Sequence, residues 1–147
     1  MLQISIKSYP ELSKEELYEI LRLRSEVFVV EQNCVYQDID NKDQKAIHIL
    51  GLKNNQLVAY SRCFQPGDYF KEASIGRVVV KENQRKYGYG HDMINASIQA
   101  IEEKFHTKTI KISAQTYLKK FYESHQFIQV DEGYLEDGIP HIAMIRG

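Results

Sequence analysis

The sequence predicts an α/β protein: a mixed sheet with helices on both of its faces. Three observations carry this. Short segments of alternating or continuous apolar residues recur in the first half of the chain, which is the signature of strands. Between an apolar run ending at Val80 and another starting at Thr109 lies a stretch of helical period, Gly88 to Phe105. A helix joining two strands of one sheet makes them parallel and crosses over right-handed. The length, 147 residues, suits one domain with a real core.

The elements follow in order. Leu2 to Ile6 alternate apolar and polar, a strand pattern. Ser13-Lys-Glu-Glu16 forms a capping box that opens a helix, and Leu17, Ile20, Leu21, Arg24, Val27 and Phe28 continue at helical spacing. A polar loop runs from Gln32 to Gln44 and carries Asp38, Asp40 and Asp43. Ala46 to Lys53 and Gln56 to Phe64 read as strands joined at Asn54-Asn55, because asparagine tolerates the left-handed conformation of a tight hairpin turn. Pro66-Gly67-Asp68 marks a turn before the strand Ser74 to Val80. The helix Gly88 to Phe105 places Met93, Ile94, Ile98, Ile101 and Phe105 on one face. A strand at Thr109 to Ala114, a short helix at Tyr117 to His125 and strands at Phe127 to Val130 and His141 to Ile145 complete the sheet. Tyr134 and the segment Glu136 to His141 form a turn before the last strand, with Pro140 fixing its backbone. No repeat, low-complexity tract or linker divides the chain, so residues 1–147 are expected to form a single domain.

Composition excludes several classes. Hydrophobic residues make up 43% and charged residues 27%, as in soluble globular proteins. A net charge of -1 gives no bulk attraction to nucleic acid or to an anionic membrane. No apolar run could span a bilayer and the N-terminus lacks a signal-peptide core, which makes the cytoplasm the expected location. Cys34 and Cys63 are the only cysteines, too few for a disulfide framework and without the C-x-x-C or clustered histidines of a zinc site. Asp38-x-Asp40 has a calcium-like spacing, but the rest of an EF-hand pattern is absent, so no metal is expected. Cys34 reads as an inert thiol rather than a nucleophile.

The chemistry concentrates between Gly76 and His91. Val78, Val79 and Val80 end a strand, a polar loop from Lys81 to Lys86 follows, and Gly88 and Gly90 open the helix. Strand, glycine-bearing turn and helix build an anion site from main chain: free N–H groups point outward and the helix dipole favours negative charge. Glycine permits close approach of a phosphate, and Arg85 and Lys86 add positive charge. The loop is not a Walker loop, because no Gly-Lys-Ser/Thr follows, nor the dinucleotide fingerprint, which needs a third glycine.

Arg85-x-x-Gly88-x-Gly90 after an apolar strand resembles the acetyl-CoA pyrophosphate motif of the GNAT superfamily of acyltransferases. Phe121-Tyr122-Glu123-Ser124-His125-Gln126-Phe127 resembles the superfamily's second motif, Phe-Tyr-x-x-x-Gly-Phe. Phe28 to Cys34, Tyr36 to Asp40, His48 to Gly51 and Glu136 to His141 resemble the ElaA-like branch, so the likeness runs from about Leu17 to the C-terminus. It implies a GNAT-like acyl-CoA N-acyltransferase fold with acetyl-CoA as cosubstrate. Main-chain amides of Arg85, Lys86, Tyr87, Gly88, Tyr89 and Gly90 would hold the pyrophosphate. The pantetheine arm would slot between two splayed parallel strands, against the backbone of Val78, Val79 and Val80 and near Gln115. Tyr122 would protonate the leaving thiolate. Spacing alone reads Tyr122 as core, packed with Phe121 and Phe127. Gln126 stands where the family usually has glycine, so a turn of different local shape is expected there.

Direct transfer to an amine also calls for a proton acceptor. Residue type leaves Glu31, Asp38, Asp40, His48, Glu72, Glu136, His141 or a water chain open for that task. His48 alternates with Ile47 and Ile49, facing either a groove or solvent. The acidic loop could line a pocket for a cationic amine, or form a solvated face. The acceptor, a small molecule or a peptide amine, is not legible, and neither is the homodimer that the family often forms. Two other readings stand beside the enzyme: a CoA-binding sensor without catalysis, and a nucleotide-binding enzyme using the same loop.

Overall fold

The structure is a computed structural model that describes residues 2–147. All strands join one sheet. In chain order the elements are β1 (Gln3–Ser8), α1 (Lys14–Arg24), β2 (Ile47–Lys53), β3 (Gln56–Phe64), β4 (Ala73–Val80), α2 (Tyr89–Phe105), β5 (Ile110–Gln115), α3 (Lys119–Glu123), β6 (Ile128–Gln129), β7 (Tyr134–Glu136) and β8 (Ile139–Arg146). The strand order is β1-β2-β3-β4-β5-β8-β6, with β7 paired to β8. Among the described residues only β4 and β5 run parallel; the other pairs are antiparallel.

Local chemistry accounts for most boundaries. Ser13 accepts from the Glu16 amide while the Glu16 carboxylate accepts from the Ser13 amide, so the capping box starts α1. The helix then loosens into a π-type segment, Ser25–Glu31. Asn54 and Asn55 both take positive φ, 52° and 62°, and close the β2–β3 hairpin. One strand escaped the sequence reading: Tyr134–Glu136 pairs with β8 across a turn at Asp137-Gly138, both of positive φ. Its residues are all exposed, and without a buried face three residues carry no apolar signal.

Two cores clamp the sheet. On one face, Met93, Ile94, Ala100 and Ile101 of α2 and Tyr122 of α3 pack on Ile49, Ala59, Ile75, Ile112, Ile142 and Met144. On the other, Ile20 and Leu23 of α1, with Val27, pack on Leu50, Leu57, Tyr60 and Val79. The helices therefore cover both faces, as the fold class predicted.

The feature that positions a site is the relation of β4 to β5. They pair only at Ala73↔Ile110 and Ser74↔Lys111. Beyond that point each strand keeps its other neighbour, β3 or β8, and the two diverge. A bulge in β4 lies at the start of the divergence. Tyr60 pairs Val79 and Arg62 pairs Gly76, so Ser61 faces two residues, Arg77 and Val78. Arg77 takes φ 49°, a left-handed conformation that costs a non-glycine residue about 1 kcal/mol or more.

Candidate functional site

On the α2 face, the open end of the gap meets the start of α2. Gly88 sits at φ 74° as the residue before the helix, in the left-handed conformation. A side chain there would find no steric obstacle, but it would have to adopt the left-handed conformation. Gly90 is different: its φ is ordinary, and an added Cβ would rest 3.5 Å from the Phe121 ring. The first-turn amides of a helix lack intrahelical acceptors. Tyr87 and Tyr89 flank Gly88 with their rings 5.4 Å apart, and the Lys53 ammonium lies 3.9 Å from the Tyr87 ring centre. The arrangement suits an anion held by main chain with cationic side chains nearby.

The expected charge of Arg85 is not free. Its guanidinium donates to both Glu31 oxygens at 2.6 and 2.8 Å, and its Nε donates to the Val80 carbonyl at 3.0 Å. Arg85 thus ties the loop to the end of the π-type segment. Lys86 beside it is exposed, with its ammonium 5.3 Å from the Tyr87 ring centre. Val78 and Val80 contact the α2-side core, whereas Val79 belongs to the α1-side core. Gln115, at the open end of β5, donates to Gln32 at 3.2 Å.

Tyr122 lies in the α2-side core with Phe121 and Phe127 edge-on to its ring. Its side chain is buried, and among the described residues its hydroxyl makes no hydrogen bond. Burial pushes the phenol well above its ordinary value, so it stays protonated through the working range of a protein. The turn after it corrects the expectation at Gln126. Gln126 adopts φ 65°, and the amides of His125 and Phe127 both donate to the Tyr122 carbonyl. The turn keeps the left-handed conformation usual for glycine and holds Tyr122 in place. Beside it, His125 Nε2 and His91 Nδ1 share a hydrogen bond of 2.8 Å that ties α3 to the start of α2.

The α1 face of the gap is built from charge. Arg24 is fully buried and donates to Asp38 Oδ2 at 2.9 Å, to the Asp38 carbonyl at 3.0 Å and to Asp43 Oδ1 at 2.7 Å. Arg62 donates to Asp40 at 2.9 and 2.6 Å and to Asp43 at 2.9 Å. Arg77, the residue of the bulge, donates to Asp38 Oδ1 at 2.7 Å, and Tyr36 Oη donates to the same oxygen at 2.9 Å. Burial disfavours the Asp40 carboxylate, but the Arg62 hydrogen bonds and charge win and hold it at about 2. The acidic loop is therefore neither a solvated face nor a free anionic pocket. It is strapped to the sheet by Arg62 and Arg77 and to the end of α1 by Arg24.

These contacts sort the candidate proton acceptors. Asp38 and Asp40 are engaged by arginine, and Glu31 is engaged by Arg85. His48 faces neither groove nor solvent: it is fully buried, accepts from Tyr60 Oη at 2.6 Å through Nδ1 and donates to the Asp43 carbonyl at 2.9 Å through Nε2. Burial lowers its basicity further. Glu72 precedes Ala73, where β4 and β5 are still paired, so it sits at the closed end of the gap. Glu136 and His141 remain, at the open end, where His141 is the register partner of Gln115. Residue type alone could not make that separation. A warning of the strap was present in Arg24, a cation on an apolar helical stripe, which is buried only when paired. Cys63 is fully buried with its thiol pushed up to about 12, and Cys34 Sγ lies 3.6 Å from the Asp137 carbonyl. Among the described residues no cluster of His, Cys, Asp or Glu could hold a metal ion, and no helix is long and apolar enough to cross a membrane.

Comparison with known proteins gives a consistent result. The family described as Acetyltransferase (GNAT) domain matches residues 9–146. Protein ElaA of Escherichia coli strain K12 is 45% identical over 94% of this chain and 92% of its own. The crystal structure of Escherichia coli ElaA superposes with TM-score 0.93 at 42% identity, covering both chains fully. An acyl-CoA N-acyltransferase from Pseudomonas aeruginosa superposes with TM-score 0.95 at 39% identity, again over the whole of both chains.

Proposed function

Because the chain belongs to the GNAT acetyltransferase family and has its fold, we propose that it transfers the acetyl group of acetyl-CoA directly to a primary amine. The observation that carries this reading is the gap between β4 and β5, open beside the left-handed Gly88 at the start of α2. Main-chain amides from Arg85 to Gly90 bind the pyrophosphate. The pantetheine arm enters the gap along Val78, Val79 and Val80 and passes Gln115, and the thioester carbonyl accepts from a β4 amide as charge develops on it. The amine attacks, the C–N bond forms and the C–S bond breaks. Tyr122 gives its proton to the departing thiolate, a role supported by its unpartnered hydroxyl. The protein works in the cytoplasm on a small-molecule or peptide amine, without a metal, nucleic acid or membrane.

The test has two parts. Saturating CoA and acetyl-CoA should raise the melting temperature well beyond any shift from ATP, because a ligand of the folded state adds about RT ln(1 + [L]/Kd). Equal shifts would remove the pantetheine slot. Thiol release from acetyl-CoA is then followed with spermidine, glucosamine, free lysine and a lysyl peptide. CoA binding without turnover on any amine would favour the sensor reading.

A further inference from the structure

We infer that His141 is the base that takes the proton shed by the acceptor amine, held for that task by Glu136 and the β7–β8 hairpin. This rests on the transferase reading above and identifies the acceptor side of the same site.

The argument begins with the ring's orientation. His141 Nδ1 lies 2.7 Å from the Ile139 carbonyl. A carbonyl only accepts, so Nδ1 carries the hydrogen and the neutral ring presents its lone pair at Nε2. That nitrogen faces Glu136 Oε2 at 3.5 Å. The carboxylate cannot donate to Nε2, but it favours the ring once a proton has arrived there. Glu136 is itself held, because its Oε1 accepts from the Ser113 hydroxyl at 3.3 Å, and Ser113 Oγ hydrogen-bonds Tyr134 Oη. The Tyr134 ring stacks on the His141 ring, with centroids 6.2 Å apart.

Sheet geometry puts this group on the correct side. Ile112 and Ala114 of β5 and Ile142 and Met144 of β8 face the α2-side core. Side chains alternate along a strand, so Ser113, Gln115 and His141 face the α1 side. Tyr134 and Glu136 join them, each directly opposite a β8 residue. Tyr122 belongs to the α2-side core. A thioester threaded through the gap would thus have its proton donor on one face and this acceptor on the other. Of the other candidates, Glu31, Asp38 and Asp40 are held by arginine, His48 has both ring nitrogens engaged and Glu72 sits at the closed end; His141 is itself only 7% exposed, but its Nε2 makes no hydrogen bond among the described residues.

The proton balance closes. The neutral amine attacks the thioester and its nitrogen becomes cationic. One proton passes from that nitrogen to His141 Nε2 as the amide forms. The CoA thiolate takes a proton from Tyr122, which regains one from solvent, while the His141 imidazolium returns its own to water.

His141→Asn is the discriminating variant. The asparagine amide keeps a donor toward the Ile139 carbonyl but has no base at the Nε2 position. With the amine that wild type acetylates, kcat/KM for the amine should fall by about a hundred-fold or more. CoA affinity and melting temperature should stay near wild type. The deficit should shrink as pH rises, since deprotonation then no longer needs the protein. Glu136→Gln should give a smaller loss with the same shape. An unchanged His141→Asn rate on an amine that wild type turns over overturns the base and leaves the transferase reading standing. Absence of amine transfer by wild type, with CoA bound, overturns that reading and this one with it. Ring-15N NMR on wild type adds a readout independent of turnover and of the variant's folding. The Nδ1–H tautomer is expected; an Nε2–H tautomer overturns the assignment.

Discussion

The two sides of the β4–β5 gap use different materials. On the α2 side the surroundings are main chain, glycine and apolar side chains: Gly88 in its left-handed conformation, the first turn of α2, and the packed ring of Tyr122. On the α1 side they are side chains joined by charge across long intervals of sequence, with Arg24, Arg62 and Arg77 closing on Asp38, Asp40 and Asp43. A main-chain cradle suits a ligand whose phosphates are always the same, since its shape survives changes of side chain. A side-chain strap holds its loop only as long as each charged partner is in place. The difference also predicts where the molecule is fragile: the α1 side should depend on single side chains for stability, and the α2 side for ligand binding.

The largest effect expected is therefore structural and on the α1 side. Asp43→Ala leaves Arg24 and Arg62 short of a buried partner and should cost about 3–5 kcal/mol, read from the midpoint of urea unfolding. A loss below about 1 kcal/mol would mean that water reaches the network freely, and the contrast drawn above would fail. The same network has a pH signature. A carboxylate depressed to about 2 contributes stability fully above its unfolded value of about 4, and that contribution disappears as pH falls toward 2. Asp43 shifts in the same direction. Acid unfolding in this window should weaken when Asp40→Asn removes one titrating partner.

Next in size is Tyr122→Phe on the opposite side. Loss of the hydroxyl should lower kcat about a hundred-fold with CoA affinity retained. The melting temperature should barely move, because the hydroxyl makes no hydrogen bond within the described residues. A stability loss with unchanged kcat would reassign it to packing. Smaller again is Gly90→Val. The residue has no positive φ and only Phe121 beside it, so folding should survive while CoA binding weakens by about ten-fold, about 1.4 kcal/mol. Arg85→Ala should weaken it less, because an exposed pair such as Arg85–Glu31 is typically worth about 1 kcal/mol or less. Calorimetric titration ranks the two, and the reverse order would give the phosphate contact to the side chain. The smallest change is Gln126→Gly, which should stabilise by less than about 1 kcal/mol: relief of the left-handed strain is partly offset by a freer unfolded chain.

The same contrast explains what could be read from the sequence. The α2 side is local: Gly88, Gly90 and the helical stripe from Met93 to Phe105 lie within one stretch, and each has a backbone or periodic signature. The capping box at Ser13 and the Asn54-Asn55 turn are equally local, and both form as expected. The strap is not local. Arg24 and Asp43 are 19 residues apart in sequence and Arg77 and Asp38 are 39, so residue type announces a charge but not its partner. That is why His48 and the acidic loop stayed ambiguous, why the pairing of Arg85 with Glu31 was not foreseen, and why the exposed strand Tyr134–Glu136 passed for a turn.

The bulge at Arg77 sets a frame for the sheet. Before it, the odd-numbered Ala73 and Ile75 face α2; after it, the even-numbered Val78 and Val80 do, while Val79 turns to α1. One additional residue has inverted the alternation, much as a single inserted base shifts every codon that follows. Deleting either Arg77 or Val78 would therefore restore the plain ladder: the residue left would face Ser61 alone, and Val79 and Val80 would keep Tyr60 and Ala59 as partners. Val79 would still face α1 and Val80 α2; what β4 would lose is the local twist of the bulge and, with Arg77, the tie to Asp38.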